Sequence, residues 1–222
     1  MIQLFHVSKF YGGRLALYDI NLHIEKGEFV LLMGASGAGK TTLLKLLFGT
    51  ERPDEGQILV QARNVARLTP AEVPYLRRTM GFVFQDFRLL SKKTVFENVA
   101  MPLLVQGLSR HDTRRKVLDA LKAVGVEHRR ESRPAMLSAG EQQRVCIARA
   151  VVNGPIVLLA DEPTGNMDPY LSGEIIDLFK LINARGTTVV IATHNRQVVD
   201  QVKRRVVTLN QGKVISDEGA GR

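Results

Sequence analysis

The stretch Gly34-Ala35-Ser36-Gly37-Ala38-Gly39-Lys40-Thr41 decides the fold of this chain. It matches the pattern G-x-x-x-x-G-K-[ST], and it lies between the continuous apolar run 29–33 and a helical pattern at 41–48. A chance glycine-rich turn would not need that flanking strand and helix. The order predicts a phosphate-binding loop, in which backbone N–H groups surround phosphate oxygens. Lys40 would reach the β- and γ-phosphates, and the Thr41 hydroxyl would bind Mg²⁺.

Two acidic residues follow a second apolar run, at 157–160. Asp161 suits Mg²⁺, directly or through water, because hard cations prefer oxygen ligands. Glu162 would polarise the water that attacks the γ-phosphate. An acidic pair in a loop carries little meaning alone, but after a phosphate-binding loop it predicts ATP hydrolysis with ATP and Mg²⁺ as cofactors.

Composition and hydropathy limit the class of protein. The 222 residues are 45% hydrophobic and 24% charged, which is typical of one soluble globular domain. No apolar run approaches the ~20 residues of a membrane helix, and the first residues lack a signal-peptide pattern. We therefore expect a cytoplasmic chain that reaches a membrane only through a partner or through surface charge. Its single cysteine, Cys146, excludes an internal disulfide.

The formal net charge is +9, with basic clusters at 77–78, 114–116, 129–130 and 203–205. Such clusters fit a solvated surface, and they also fit attraction to an anionic membrane or to nucleic acid. No aromatic residues alternate with them for base stacking. Nucleic acid is therefore not an expected partner.

The secondary-structure pattern changes twice along the chain. Strand patterns dominate the first 60 residues, helical signals dominate the middle, and alternating strands and helices return in the last third. Capping boxes at Thr94 and Ser138 mark helix starts in the middle part. We predict one domain, with residues 1–85 and 154–222 as an α/β core and residues 86–153 as an inserted helical subdomain.

Residues 137–144, Leu-Ser-Ala-Gly-Glu-Gln-Gln-Arg, resemble the LSGGQ signature of ABC ATPases, and they lie shortly before the acidic pair as in that family. A serine-capped helix followed by small residues leaves its N-terminus open to a phosphate. The capping box by itself would also fit an ordinary helix start. The chain departs from the family pattern at Ala139, where glycine is usual, and at Glu141, where glutamine is usual.

The resemblance covers almost the whole chain and implies further roles. Tyr11 is similar to the aromatic residue that stacks on adenine, and Gln85 to the glutamine that senses Mg²⁺ and the attacking water. Asn166 and Asp168 resemble the loop that crosses the dimer interface, and His194 resembles the switch histidine at the γ-phosphate. The implied sets are Tyr11, Gly34, Ala35, Ser36, Gly37, Ala38, Gly39, Lys40, Thr41 and Thr42 for ATP; Thr41, Gln85 and Asp161 for Mg²⁺; Glu162, His194 and Gln85 for catalysis; and Ser138, Ala139, Gly140 and Glu141 as the signature acting in trans.

The family also implies an architecture and an assembly. The fold would be a P-loop NTPase core of the RecA-like α/β type with a mainly parallel sheet, an N-terminal antiparallel β subdomain and the inserted helical subdomain. Two copies would form a homodimer on binding ATP. The signature of each copy would then face the ATP that is bound by the other copy.

Within the ABC ATPases, residues 161–166 are similar to the group of cell-division FtsE, lipoprotein-release and macrolide-efflux ATPases, and residues 72–78, 94–103 and 151–155 are most similar to FtsE. That resemblance implies a subunit on the cytoplasmic face of the inner membrane. It would pair with the membrane protein FtsX, and with division-ring proteins, and would transmit dimer closure across the membrane to regulate peptidoglycan hydrolysis. We expect residues 86–106 to form the docking groove, with Phe87 and Leu90 as exposed anchors.

Two other functions stay open at this level. One is the ATPase subunit of a lipoprotein-release or macrolide-efflux system. The other is a soluble ABC ATPase that acts on DNA, which only the positive charge favours. The presence of a single cassette without a long coiled coil argues against the second.

Overall fold

The computed structural model describes residues 1–165 and 167–219, and it contains two β-sheets. The first is antiparallel and four-stranded, with β1 (Ile2–Tyr11), β2 (Arg14–Ile24), β4 (Glu55–Val60) and β5 (Arg63–Asn64) in the order β2-β1-β4-β5. In β2, Ile20, Leu22 and Ile24 are buried in alternation with exposed neighbours, as the sequence predicts for a strand with one covered side.

The second sheet has six strands and holds the edge at which the site lies. It contains β3 (Phe29–Met33), β6 (Met80–Val83), β7 (Val157–Asp161), β8 (Thr188–Thr193), β9 (Arg205–Asn210) and β10 (Lys213–Glu218). The order is β10-β9-β3-β8-β7-β6, and only the β9–β10 hairpin is antiparallel. The carboxyl ends of β3, β7 and β8 therefore meet at one edge.

Seven α-helices connect these strands within the described residues. They are α1 (Lys40–Leu47), α2 (Val73–Arg78), α3 (Val95–Val105), α4 (Arg110–Ala123), α5 (Ala139–Val151), α6 (Pro169–Ala184) and α7 (Arg196–Val202). The predicted capping boxes at Thr94 and Ser138 are both formed, and Asp168 caps α6 with a proline at the first helical position.

Both faces of the six-stranded sheet are covered. On β3, Val30 and Leu32 pack in the cluster shared with α1 and the antiparallel sheet, whereas Phe29 and Leu31 pack with the helices of the other side. A strand that is buried on both faces needs a continuous apolar sequence, which explains the run that precedes the phosphate-binding loop. The predicted α/β class with a mainly parallel sheet and an antiparallel β subdomain is confirmed.

No helix within the described residues combines the length and the apolar character needed to cross a membrane.

Candidate active site

The loop between β3 and α1 closes around the ammonium group of Lys40. Lys40 Nζ donates to the backbone oxygens of Gly34 at 2.7 Å and Ala35 at 3.1 Å, and its side chain is 6% exposed. Gly39 has a φ of 105°, and a Cβ at this position would lie 2.7 Å from the backbone oxygen of Ala16. Both the backbone conformation and the close approach therefore require glycine. The first N–H groups of α1 have no partner within the helix, so an anion is favoured in this loop.

Asp161 lies beside the loop because β7 and β3 are both neighbours of β8. Thr41 Oγ1 donates to Asp161 Oδ1 at 3.1 Å, which brings together two of the predicted magnesium ligands. Burial raises the pKa of the Asp161 carboxyl above its usual value. A hydroxyl and a desolvated carboxylate form the all-oxygen donor set that Mg²⁺ prefers, so these residues fit that ion.

Glu162 directly follows β7 with a φ of 47°, which is unusual for a residue with a side chain. Its Oε1 lies 2.9 Å from His194 Nδ1 and 3.4 Å from Lys40 Nζ. Its Oε2 accepts a hydrogen bond from the backbone N–H of His194 at 3.2 Å. The predicted catalytic base is therefore held by the two side chains that are predicted to contact the γ-phosphate.

A cleft of about 410 Å³ opens at this edge of the sheet, within the range of small-molecule sites. The predicted residues that line it are Tyr11, Ser36, Gly37, Gly39, Lys40, Thr41, Thr42, Gln85, Glu162 and His194. Gly34 and Ala35 contribute the carbonyl groups that hold Lys40. Ala38 does not line the cleft, because its side chain is buried in the core next to the loop.

Sequence reasoning missed part of the cleft wall. Arg14, Leu15 and Ala16, at the start of β2, also line the cleft. Arg14 and Leu15 pair with the end of β1 in a hairpin, in which Phe10 is opposite Leu15 and Tyr11 is opposite Arg14. The Gly12-Gly13 turn directly after Tyr11 is the sequence signal that could have found them, since a tight turn returns the chain to the same place.

The signature residues lie at the start of α5. Ser138 Oγ accepts a hydrogen bond from the Glu141 backbone N–H at 3.2 Å, and Glu141 Oε2 accepts one from the Ser138 backbone N–H at 2.9 Å. A second cleft of about 400 Å³ is lined by Ser138, Ala139, Gly140, Glu141, Arg144, Met167, Asp168 and Leu171. Among the residues that the structure describes, the two clefts share no lining residue. Within one chain, the signature is therefore not brought to the phosphate-binding loop.

The predicted interface loop is described only in part. Asp168 caps α6 by accepting a hydrogen bond from the Leu171 backbone N–H at 2.9 Å, and it lines the signature cleft. Asn166 lies outside the described residues.

The segment after Gln85 differs from the expectation at one residue. Leu90 is 44% exposed, as predicted. The prediction that Phe87 is an exposed anchor is wrong, because its side chain is half-buried against the core on the helical side of the sheet. Two residues of α3 within the predicted docking segment, Leu104 and Val105, are exposed to 53% and 66%.

Both the sequence and the fold of the chain are similar to those of known proteins. The sequence model of the ABC transporter family matches residues 17–165. The cell division ATP-binding protein FtsE of Mycobacterium tuberculosis H37Rv is 50% identical over 100% of this chain and 97% of its own length. The protein of the same name from Escherichia coli K12 is 51% identical over 96% of both chains.

Among solved structures, the dimeric bacterial ABC transporter cassette MJ0796 matches with a TM-score of 0.92 and 38% identity over 100% of both chains. A post-hydrolysis state of the same cassette, bound to ADP and Pi, matches with a TM-score of 0.92 and 36% identity, again over 100% of both chains. Sequence, fold and the order of the motifs thus agree. The chain belongs to the ABC transporter family of ATP-binding cassettes, and its two curated relatives from Mycobacterium tuberculosis and Escherichia coli carry the name FtsE.

Proposed function

We propose that two copies of this chain bind two molecules of Mg·ATP between them and hydrolyse the ATP. The resulting motion is passed to an FtsX-type membrane protein in cell division. The chain is an ATP hydrolase of the ABC type. The observation that carries the proposal is the convergence of Lys40, Thr41, Asp161, Glu162 and His194 at one sheet edge. The FtsE name of the relatives favours cell division over lipoprotein release or efflux.

The residues in and beside the cleft have separate roles in the proposed reaction. Tyr11 stacks on the adenine, and Lys40 with the backbone of the loop binds the β- and γ-phosphates. Thr41, Asp161 and Gln85 would hold Mg²⁺, which would supply positive charge against the developing charge on the phosphates. Glu162 accepts the proton of the attacking water. In this role it must exchange its present contacts with Lys40 and His194 for contact with that water.

Pairing of two copies is supported by the separation of the clefts. The signature cleft lies away from the phosphate-binding loop of its own chain, and the solved relative MJ0796 is dimeric. A phosphate held by one loop is left open on its outer side, and the N-terminus of α5 from a second copy would close that side. Ser138 to Glu141 would then act on the ATP of the partner copy.

The membrane partner would dock on residues 86–106, in which Leu90, in the segment after Gln85, and Leu104 and Val105, at the end of α3, are exposed apolar residues. We assign residues 86–153 to a helical subdomain that carries this surface and the signature. Docking on that partner would hold the chain on the cytoplasmic face of the inner membrane. Division-ring proteins would be further partners.

Glu162→Gln tests the chemistry. The amide keeps the shape of the side chain but cannot take a proton, so steady-state hydrolysis should fall by about 10²–10⁴-fold while ATP still binds. The variant should accumulate as an ATP-bound pair in size-exclusion chromatography. A turnover close to that of the unchanged chain would remove Glu162 from the role of base.

Leu90→Glu tests the docking surface. A charge at the centre of an apolar contact should weaken capture of the FtsX-type subunit by about tenfold or more, with ATP binding unchanged. Leu181→Glu is the matched control, because Leu181 is 59% exposed but lies on α6, outside the docking segment. Equal capture of the membrane subunit by both variants would place the docking surface elsewhere.

A further inference from the structure

The signature helix carries a carboxylate that is bound to an arginine from another part of the chain. Glu141 uses one oxygen, Oε2, to close the capping box on Ser138. Its other oxygen, Oε1, accepts a hydrogen bond from Arg129 Nε at 2.8 Å. Together the two contacts lower the pKa of the Glu141 carboxyl, the capping bond to Ser138 being the larger cause. Glu141 is therefore a fixed negative charge at the N-terminus of α5.

A negative charge at this position disfavours the binding of a phosphate. A carboxylate near a helix N-terminus stabilises the helix in the isolated chain, since it offsets the positive end of the helix dipole. The same carboxylate repels a phosphate that approaches this N-terminus. The signature cleft contains Glu141 together with Ser138 and Gly140, so an ATP held by a second copy would come close to it.

Arg129 is held in place by the backbone around it. The turn 127–129 is followed by a segment in which the Arg130 and Ser132 carbonyls accept hydrogen bonds from the N–H groups of Phe96 and Val95, each at 2.9 Å. Both of those donors belong to the first turn of α3. The guanidinium group of Arg129 is therefore presented to Glu141 by a segment tied to a helix start, which lowers the entropy lost in forming the pair.

Arg130 and Arg144 are paired with other carboxylates, and His128 lies farther from Glu141 than Arg129 does. Arg130 pairs with Glu131, with 3.6 Å between Arg130 Nε and Glu131 Oε1. Arg144, which also lines the cleft, is bonded to Glu174 and to the Val124 carbonyl. His128 Nε2 lies 3.8 Å from Glu141 Oε1 and would add charge only when protonated.

We propose that Arg129 is a positioning residue of the composite ATP site, which neutralises and orients Glu141 so that the signature helix accepts the phosphates held by a second copy. This inference rests on the proposed pairing of two copies. It predicts that a substitution of Arg129 weakens the pairing of two copies. The same substitution should leave ATP binding by the single chain unchanged, because Arg129 does not line the nucleotide cleft.

The test is a double-mutant cycle in a chain that carries Glu162→Gln, so that bound ATP persists. Sedimentation velocity with saturating Mg·ATP at pH 8, where histidines are ordinarily neutral, gives the dissociation constant of the pair. Arg129→Ala should raise it by about tenfold at low salt, because each of the two composite sites then presents an unneutralised Glu141 carboxylate to the phosphates held by the other copy. The effect should shrink at high salt, which screens such charges.

The remaining variants separate charge from structure. Arg129→Lys should restore most of the pairing. Glu141→Gln alone should tighten the pair a few-fold, because it removes the repulsive charge and leaves the cation. With Glu141→Gln present, Arg129→Ala should have a much smaller effect. Arg130→Ala is the matched control, since it removes the same charge one residue away from the pair.

Three results would overturn the inference: an equal effect of Arg129→Ala with and without Glu141→Gln, an equal effect of Arg130→Ala, or no tightening by Glu141→Gln. The last comparison needs no Arg129 variant and so holds even if Arg129→Ala fails to fold. If the Glu162→Gln chain does not pair at all with ATP, the proposed function itself fails and the inference falls with it.

Discussion

At the scale of the residue, the active site shows a conflict between stability and function in Asp161. The residue is 5% exposed, and burial raises the pKa of its carboxyl group. In the absence of a cation, ionisation of this group costs free energy, which its hydrogen bond from Thr41 only partly offsets. In the proposed function this cost has a use, because only the ionised form of Asp161 would bind the Mg²⁺.

Asp161→Asn should therefore raise the melting temperature of the nucleotide-free chain at neutral pH. The unfolded chain loses this proton at a lower pH than the folded chain. As pH rises from the usual aspartate value through the raised pKa of Asp161, the parent's free energy of unfolding falls, and the loss is complete above that pKa. The advantage of the variant, measured by calorimetry without Mg²⁺, should thus shrink as pH is lowered. A variant that melts below its parent at neutral pH would contradict this account.

At the scale of the element, Arg149 joins α5 to the segment that follows Gln85. Its Nη2 and Nη1 donate to the backbone oxygens of Phe87 and Arg88, each at 2.6 Å. Cys146 Sγ donates to the same Phe87 oxygen at 3.1 Å. Phe87 and Arg88 both have left-handed backbone conformations, with φ of 47° and 50°, which persist only where the surroundings enforce them. The helix that begins at the signature thereby determines the path of the Gln85 loop.

Arg149→Ala should loosen this segment selectively. The loss of two hydrogen bonds from a charged group should lower the free energy of unfolding by about 2–4 kcal/mol. Hydrogen exchange of the amides at 85–90 should accelerate more than exchange in β3. Arg149→Lys should recover only part of the effect, since an ammonium group cannot bridge two carbonyls as a planar fork does. Unchanged exchange at 85–90 in a folded Arg149→Ala chain would show that the loop is held by other contacts.

At the scale of the whole molecule, the proposed function depends on two separate clefts of each chain. A mixture of Lys40→Ala and Ser138→Arg chains should be more active than either variant alone. Each mixed pair would contain one composite site with both mutations and one with neither. Steady-state ATPase activity across a titration of the two variants measures this rescue. Absence of rescue, with mixed pairs confirmed by differential tags, would count against a site shared between copies.

Short-range sequence patterns predict most of the elements of the fold and many of the residues of the site. The phosphate-binding loop, the capping boxes at Thr94 and Ser138, and the proline start of α6 each depend on neighbours within a few residues, so the sequence alone identifies them. The apolar run before the loop likewise predicts a buried strand, which is β3. The apolar run predicts β7 only as far as residue 160. The strand also includes Asp161 because its pairing continues to Ala192 on β8, and that pairing is long-range.

Only the tertiary structure decided which of these groups touch. Glu162 meets both Lys40 and His194 because β8 lies between β3 and β7 in the sheet. The side chain of Phe87 packs against the helical-side core, and its carbonyl is bound by Arg149, which is distant in sequence. Local patterns specify elements through neighbouring residues, whereas strand order and ion pairs depend on how distant elements pack. The sequence by itself therefore determined the kind of chemistry and the elements that carry it, and the packing of the sheet and helices determined which charges face one another.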